Sequence, residues 1–345
     1  MTMSQQLINV LTNIPKDVWR DVWCDVLPIN RTNMLRLLCK NIKTAIDLIQ
    51  PFTNIEITFD ISDFKYRITA EKIIKTLKEI EKISIRSSIK KLYLVQCDIK
   101  RELAFQYLTR VIGNCKYIEE LNLSNNAINN NGINIIAENL IHCPEIKQIK
   151  LGGNYITEFE SIRDISNCKK LTLIDINTNM FGDAGSISFA NAIVNCENIS
   201  RIILNNNDIG PNGIKRLAEV FENFRYLASI NLSCNRLSSS GVTILARHLK
   251  KYSRLFSLDI SYNHIGDGGA ENIANVLPNC VSLANLDLCG NQISDDGANC
   301  FKNVFTQCLV LRNINLDKNK ITNEGSDSLA EVLSECPNIR CSRCI

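Results

Sequence analysis

The sequence lacks three features that would point to a membrane or to a nucleic-acid partner. Its net charge is only +3 over 345 residues, so no nucleic acid is implied. No apolar stretch approaches the ~18 residues of a transmembrane helix, and residues 1–15 lack the apolar run of a signal peptide. We therefore expect a protein of the cytoplasm, with the nucleus as a second compartment, and no membrane association.

Patterns typical of catalysis are also missing. The three histidines, His142, His248 and His264, are scattered along the chain. No glycine-rich phosphate loop and no paired catalytic carboxylates stand out. His264 follows a repeated asparagine, at a position that we interpret as a solvated rim. We expect a protein that is not an enzyme and that holds no cofactor or metal.

What the sequence does contain is one asparagine position that recurs across most of the chain. All but one of the spacings between successive asparagines are 28 residues, and Cys97 occupies the same position 29 residues before the first of them. Self-similarity at a fixed period indicates a repeat architecture, here of about nine units. The recurring residues, which we expect to form a structural ladder with Cys97, are Asn126, Asn154, Asn179, Asn207, Asn235, Asn263, Asn291 and Asn319.

Each repeat unit has two halves. The first half alternates apolar and polar residues, as a strand with one buried face does, and the second half has apolar residues at helical spacing. Seven of the eight Asn-bearing units have a glycine six residues after the asparagine, where we expect it to relieve a backbone constraint. Six of them have an alanine eleven residues after the asparagine, which would let the helix approach the strands closely.

The asparagine suits the end of a short strand, where buried backbone groups lose their partners and an amide side chain can replace them. The pattern resembles the leucine-rich repeat of the ribonuclease-inhibitor-like class over residues 89–345. This resemblance implies an α/β fold, a curved leucine-rich-repeat solenoid with parallel strands on its concave face and helices on its convex face. Curvature is expected because strands stack at ~4.8 Å and helices at ~8–10 Å.

Cysteine is abundant, with fifteen residues, and seven of the cysteines share one repeat position. Phe224 and Tyr252 fill that position in two units, so it requires an apolar side chain, which a free cysteine can supply. We interpret the column as buried thiols, not as disulfides or metal ligands. Cys341 and Cys344 would face opposite sides of a strand, which argues against a zinc site. The column comprises Cys115, Cys143, Cys168, Cys196, Cys280, Cys308 and Cys336.

Residues that alternate with the buried strand positions are expected to form the concave face and to bind a protein target. The predicted set is polar, mildly acidic and poor in aromatic anchors, which favours a basic protein partner. It comprises Tyr93, Glu120, Asn122, Asp175, Asn205, Asn231, Asp259, Tyr262, Asp287, Asn315 and Asp317.

Residues 1–50 differ from the repeats. A helix starting near Pro15 would have one apolar stripe with two tryptophans, and a second, leucine-rich helix would follow Pro28. This segment resembles an F-box, from which it departs at Ile42, where the family usually has tryptophan. The residues expected to form its adaptor-binding surface are Ile14, Pro15, Val18, Trp19, Val22, Trp23, Leu35 and Leu38.

The F-box resemblance implies a partner and a function. An F-box head would bind a Skp-type adaptor and through it a cullin, so the protein would be the substrate-recognition subunit of a cullin-RING ubiquitin ligase. The alternative is that residues 1–50 only cap the solenoid and that the chain is an interaction scaffold or inhibitor. A GTPase-activating protein of the same repeat class is the third interpretation. Residues 51–88 read as a degenerate first repeat, with a strand at 55–59 and a helix at 70–83.

Overall fold

The computed structural model describes residues 53–60, 70–86, 88–99, 102–159, 165 and 168–342. Within these ranges, eleven strands form one parallel sheet, in which each strand lies beside the next strand of the chain. The predicted head, residues 1–50, lies outside these ranges. The strands are β1 Thr53–Asp60, β2 Ser88–Val95, β3 Glu120–Asn122, β4 Gln148–Lys150, β5 Leu173–Asp175, β6 Arg201–Ile203, β7 Ser229–Asn231, β8 Ser257–Asp259, β9 Asn285–Asp287, β10 Asn313–Asn315 and β11 Arg340–Cys341.

Helices run back along one side of the sheet, and most successive helices pack against each other. This arrangement confirms the predicted α/β solenoid. In the part of the chain that the structure describes, no helix has the length and apolar composition needed to cross a bilayer. The helices are α1 Ala70–Arg86, α2 Glu102–Asn114, α3 Asn130–Leu140, α4 Gly182–Ile193, α5 Pro211–Phe221, α6 Ser238–Leu249, α7 Gly266–Val276, α8 Asp295–Lys302 and α9 Asn323–Glu335.

The register of the sheet explains the alternation of apolar and polar residues. In the three-residue strands the central side chain is buried and its two neighbours reach the solvent. Central residues face each other across strands, as Leu121 faces Ile149 and Ile230 faces Leu258. Together with the apolar helix faces they form one continuous core along the repeats.

The glycine found six residues after seven of the eight ladder asparagines is required by close packing at the helix starts. At Gly213, a Cβ atom would lie 2.8 Å from Oδ1 of Asp183 and 2.9 Å from Cβ of Ser186, both on the preceding helix. The glycines with positive φ are at other positions, such as Gly266 and Gly290. The expectation that this glycine relieves a backbone constraint is therefore wrong, and the missing side chain is what the position requires.

The cysteine column lies in the core, and all seven of its residues are buried free thiols. Burial raises the pKa of the Cys143 and Cys196 thiols to about 12. The Cys196 thiol donates to the carbonyl of Ile165 in the preceding repeat at 3.4 Å. Tyr252, which takes the same repeat position, donates its hydroxyl to the carbonyl of Ala218 at 2.8 Å. The column therefore fills the core and also satisfies backbone groups of the repeat before it.

Candidate functional site

The repeated asparagines lie at the ends of the strands and join neighbouring repeats. Asn207 is fully buried. Its Nδ2 donates to the carbonyls of Ile176 at 2.9 Å, in the preceding repeat, and of Leu204 at 3.1 Å and Asn205 at 3.2 Å, in its own. Its Oδ1 accepts the backbone N–H of Asn179 at 3.1 Å. One side chain thus bonds four backbone groups of two repeats where the chain leaves the sheet, among them the Asn205 carbonyl, which also accepts the N–H of Thr178 at 2.9 Å.

The same contacts repeat along the ladder. The Oδ1 of each asparagine from Asn126 to Asn319 accepts at least one N–H from the preceding repeat. Cys97 takes the position in the first of these repeats, where it is 1% exposed and its thiol donates to the carbonyl of Val95 at 3.3 Å. The ladder is a structural element that fixes the shape of each turn, so it leaves recognition to side chains outside it.

A second polar column lies on the concave face itself, at the last residue of most strands. There an Asn or Asp side chain accepts the backbone N–H of the residue two positions later: 3.0 Å from Asp259 to Ser261 and 2.9 Å from Asn231 to Ser233. Several residues that the sequence predicts as target-binding therefore also hold the turn after their strand. The members of this strand-end column are Asn122, Asp175, Asn231, Asp259, Asp287 and Asn315.

Charge is distributed unevenly along the concave face. In β2 and β3, Lys91 forms an ion pair with Glu120 at 3.2 Å, and the Tyr93 hydroxyl donates to the same carboxylate. Further along, Asp259 and Asp287 lie directly opposite each other in β8 and β9. Burial raises the pKa of Asp287, with the neighbouring acids adding to the rise, against hydrogen bonds from Cys289 and Asn315 that lower it. The late strands therefore present negative charge that suits a basic partner.

Tyr262 is placed differently from the inward strand position predicted for it. It lies in the turn after β8 with φ +54° and is 41% exposed. Its ring lies against Gly290 of the next repeat, where a Cβ atom would come within 2.6 Å of the ring. Lys318, two repeats later, donates to the Tyr262 hydroxyl at 2.9 Å. The ring is therefore an exposed aromatic group in the turn that follows β8, beside the acidic residues of β8 and β9.

Sequence reasoning did not predict the two partners of Tyr262, and the repeat register indicates only one of them. Gly290 follows Cys289 in the turn after β9, and the tyrosine ring, which lies within 2.6 Å of where a Cβ atom would be, leaves no room for a side chain. The register aligns Gly290 with Tyr262, because both directly precede a ladder asparagine. Lys318 occupies the same repeat position two strands from Tyr262, so the register alone does not predict that its long side chain reaches the hydroxyl.

A comparison with protein families identifies the repeat. The family model described as Leucine Rich repeat matches residues 114–134 and 255–274. The chain contains leucine-rich repeats. An internalin from Listeria monocytogenes is a similar solved structure, with 14% sequence identity and a TM-score of 0.48, over 79% of this chain and 76% of that chain. No curated protein sequence matches the chain. The ribonuclease-inhibitor-like class stays a prediction.

The repeats differ from one another at the strand-start edge, which we define as the segments that lead from each helix into the next strand. In the early repeats this edge carries ion pairs between neighbours: Glu119 binds Lys147 at 2.6 Å and Lys90 at 3.2 Å. Glu145 binds Lys170 at 2.6 Å in the same way. In the late repeats the edge exposes large aromatic and aliphatic side chains, with arginines beside them. Sequence reasoning did not single out this edge.

In the described part of the chain, no group of three or more His, Cys, Asp or Glu side chains is arranged so that it could hold a metal ion. Cys341 lies on β11 and is buried, whereas Cys344 falls outside the described residues. The adaptor-binding residues predicted in the head, from Ile14 to Leu38, also lie outside them.

Proposed function

We propose that the protein is a non-enzymatic recognition module whose concave face binds a protein target. The observation that carries this proposal is the variety of residue types at the first exposed position of the strands, next to a buried central position that does not vary in character. The central strand residues are always apolar, whereas this first position changes in size, polarity and charge from strand to strand. From β2 to β11 it is occupied by Lys91, Glu120, Gln148, Leu173, Arg201, Ser229, Ser257, Asn285, Asn313 and Arg340.

The late strands favour a basic target. Asp259 and Asp287 face each other on neighbouring strands, and Asp317 follows β10. Tyr262 supplies an exposed aromatic side chain beside them, of the kind that is enriched where interfaces bind most strongly. A basic segment with an apolar side chain would neutralise the carboxylates and pack against the ring.

The proposal is tested by affinity capture with the full chain and two kinds of variant. Asp317→Lys and Tyr262→Ser alter the concave side, whereas Glu138→Lys makes the same charge reversal on the exposed side of α3. Proteins captured by the wild type should be lost with the first two variants and retained with the third. A captured set that all three variants retain, or all three lose, would overturn the concave face as the binding surface.

The finer proposal is that the protein selects substrates for a cullin-RING ubiquitin ligase. It rests on the resemblance of residues 13–49 to an F-box, in particular Ile14 and Pro15 and the two tryptophans of the first predicted helix. The head would bind a Skp-type adaptor while the repeats hold the target. Ubiquitin transfer would be catalysed by partner enzymes, and this chain would contribute proximity.

Direct binding to a purified Skp-type adaptor tests the finer proposal. Replacing Ile14 and Pro15 together with alanine should abolish binding, because an apolar anchor at an interface centre typically contributes ~2 kcal/mol or more. An unchanged thermal melt of the variant would show that the repeats stay folded. If the wild type has no measurable affinity, or the double variant binds equally well, the ligase role is excluded and the scaffold interpretation replaces it.

A further inference from the structure

The late part of the strand-start edge exposes a row of large apolar side chains. Tyr226, Phe256, Val281 and Leu309 precede four successive strands, β7 to β10, and are 46%, 55%, 65% and 83% exposed. We call this row, with Val310 beside it, the apolar edge. At about 4.8 Å between neighbouring strands, it extends over roughly 14 Å. Large apolar side chains gathered in this way on a surface commonly mark a binding site.

The apolar edge borders an open groove of about 540 Å³. Tyr226, Phe256, Val281 and Val310 line it together with Arg254. The backbone beneath is already paired: the N–H of Phe256 donates to Ala228 at 2.8 Å, and the carbonyl of Phe256 accepts from Ala284 at 3.0 Å. A ligand therefore cannot add as a further strand here, and it must be recognised by its side chains.

The charged residues within the segments that form the apolar edge are all basic. The five segments 225–229, 253–257, 281–285, 309–313 and 337–341 contain four arginines and no Asp or Glu. Arg225 is paired with Glu197 at 2.7 Å. The guanidinium of Arg254 lies over the Tyr226 ring, 5.0 Å from its centroid, and Arg312 donates to the carbonyls of Leu309 and Leu311. The groove is thus apolar in its centre and positively charged at its margin.

We propose that the apolar edge binds an acidic protein segment that carries apolar side chains. Its aromatic or aliphatic residues would fill the groove, and its carboxylates would pair with Arg254 and Arg312. A second copy of the chain fits less well, because a symmetric contact would bring like charges together. This surface lies beside the concave face and is separate from the strand positions that would hold a target, so the inference goes beyond the proposed function.

The early repeats supply a matched control. Tyr117 occupies the same repeat position as Tyr226 and is 58% exposed, but its neighbours on the edge are charged, among them Glu119 and Glu145. Replacing Tyr117 removes an exposed aromatic ring of equal size from the same edge. It leaves the groove beside Tyr226 untouched.

The inference is tested by selecting short random peptides from a displayed library on the immobilised full chain. The selected peptides should combine Asp or Glu with aromatic or aliphatic residues. Their affinity, measured by fluorescence anisotropy, should fall about tenfold or more with Val281→Ser combined with Leu309→Ser, and separately with Arg254→Glu. Tyr117→Ser should leave the affinity unchanged. Because the four substituted side chains are exposed, the melting curves of the variants should stay close to that of the wild type.

Several outcomes would overturn the inference. They are a selection that yields no peptide dependent on the apolar edge, a selection of basic or uncharged peptides, and peptides that bind the double serine variant as well as they bind the wild type. Two further measurements address other occupants. Self-association of the wild type that the double variant abolishes would show that a second copy covers the groove. Binding to vesicles containing phosphatidylserine, if lost in that variant, would assign the edge to a lipid surface instead.

Discussion

The buried ladder and the strand-start edge occupy fixed positions in the same repeats, but only the ladder keeps its chemistry. An amide stands in the ladder position of eight units, because each one satisfies backbone groups of two repeats. On the edge, the register position of Lys147 is occupied by Phe256 four repeats later. The fold therefore constrains what it buries and leaves the edge free to vary. Variation on the edge is where recognition can be encoded.

The strand-end column on the concave face lies between these two extremes. It keeps an acceptor side chain, Asn or Asp, in most strands because the following turn needs one. The choice between the neutral and the charged acceptor is not fixed by the turn, since Asn231 and Asp259 make the same contacts on neighbouring strands. Shape is constrained at this column, and charge is not.

The largest effect should come from replacing a ladder asparagine with leucine. The same substitution on the strand-start edge serves as its control. Asn207→Leu removes an amide whose contacts are all buried or partly buried, so the free energy of unfolding should fall by roughly 1–3 kcal/mol. Asn198→Leu lies nine residues earlier on the exposed edge, where the side chain makes one hydrogen bond at 2.7 Å to the carbonyl of Lys169. That change should stay within about 0.5 kcal/mol. Chemical denaturation measures both.

Equal loss at the two sites would contradict the comparison. If Asn198→Leu destabilised the protein as much as Asn207→Leu, the edge would be under the same structural constraint as the ladder. If neither changed the denaturation midpoint, the hydrogen bonds of the ladder would not contribute to stability.

An intermediate effect is expected in the strand-end column. Asp259→Leu removes the acceptor for the N–H and hydroxyl of Ser261 and should cost about 0.5–1.5 kcal/mol. Asp259→Asn keeps the acceptor, as Asn231 does, and removes a like charge facing Asp287. It should be neutral or stabilising by about 0.2–1 kcal/mol at neutral pH.

The pKa of Asp287 provides an independent measurement for the same variant. Because its folded pKa is raised, chiefly by burial and further by Asp259 and Asp317, this carboxyl disfavours the folded state at neutral pH, and stability is gained as the pH falls through the folded pKa. Asp259→Asn should lower the pKa of Asp287, as an NMR titration would show. An unchanged or higher pKa would mean that the two carboxylates do not interact.

The smallest effect is expected for the ion pairs of the early edge. The hydrogen bond from Lys147 is the main reason that the pKa of Glu119 lies below its usual range. This carboxylate therefore contributes stability above its unfolded pKa, and the contribution is lost as the pH falls through the folded pKa. Lys147→Ala should raise the pKa of Glu119 measured by NMR, while the melting temperature changes little, because exposed pairs contribute little. A large loss of melting temperature would show that this edge supports the fold.

The spacing of residues predicts the constant parts of this protein better than the variable parts. The 28-residue period and the apolar alternation predict the strands, the helices and the buried cysteine column, because each depends on burial within one unit. The predicted role of the glycine six residues after the asparagine was wrong. At Gly213 the glycine is required by the closeness of the preceding helix, which belongs to another unit. The apolar edge and the contact of Lys318 with Tyr262 combine residues from several units, and a period read one unit at a time does not join them.

The direction of the ladder has a consequence for how the chain is made. The Oδ1 of each asparagine accepts N–H groups of the repeat before it, as Asn235 does for Asn207 and Ile209 at 3.0 and 2.9 Å. A repeat leaving the ribosome therefore has to wait for the next 28 residues before its own turn is satisfied. At about 5–20 residues per second this delay is roughly 1–6 s. During synthesis the newest repeat is always the incomplete one, and a ribosome that stalls between repeats holds a chain whose last turn is open to chaperones and proteases.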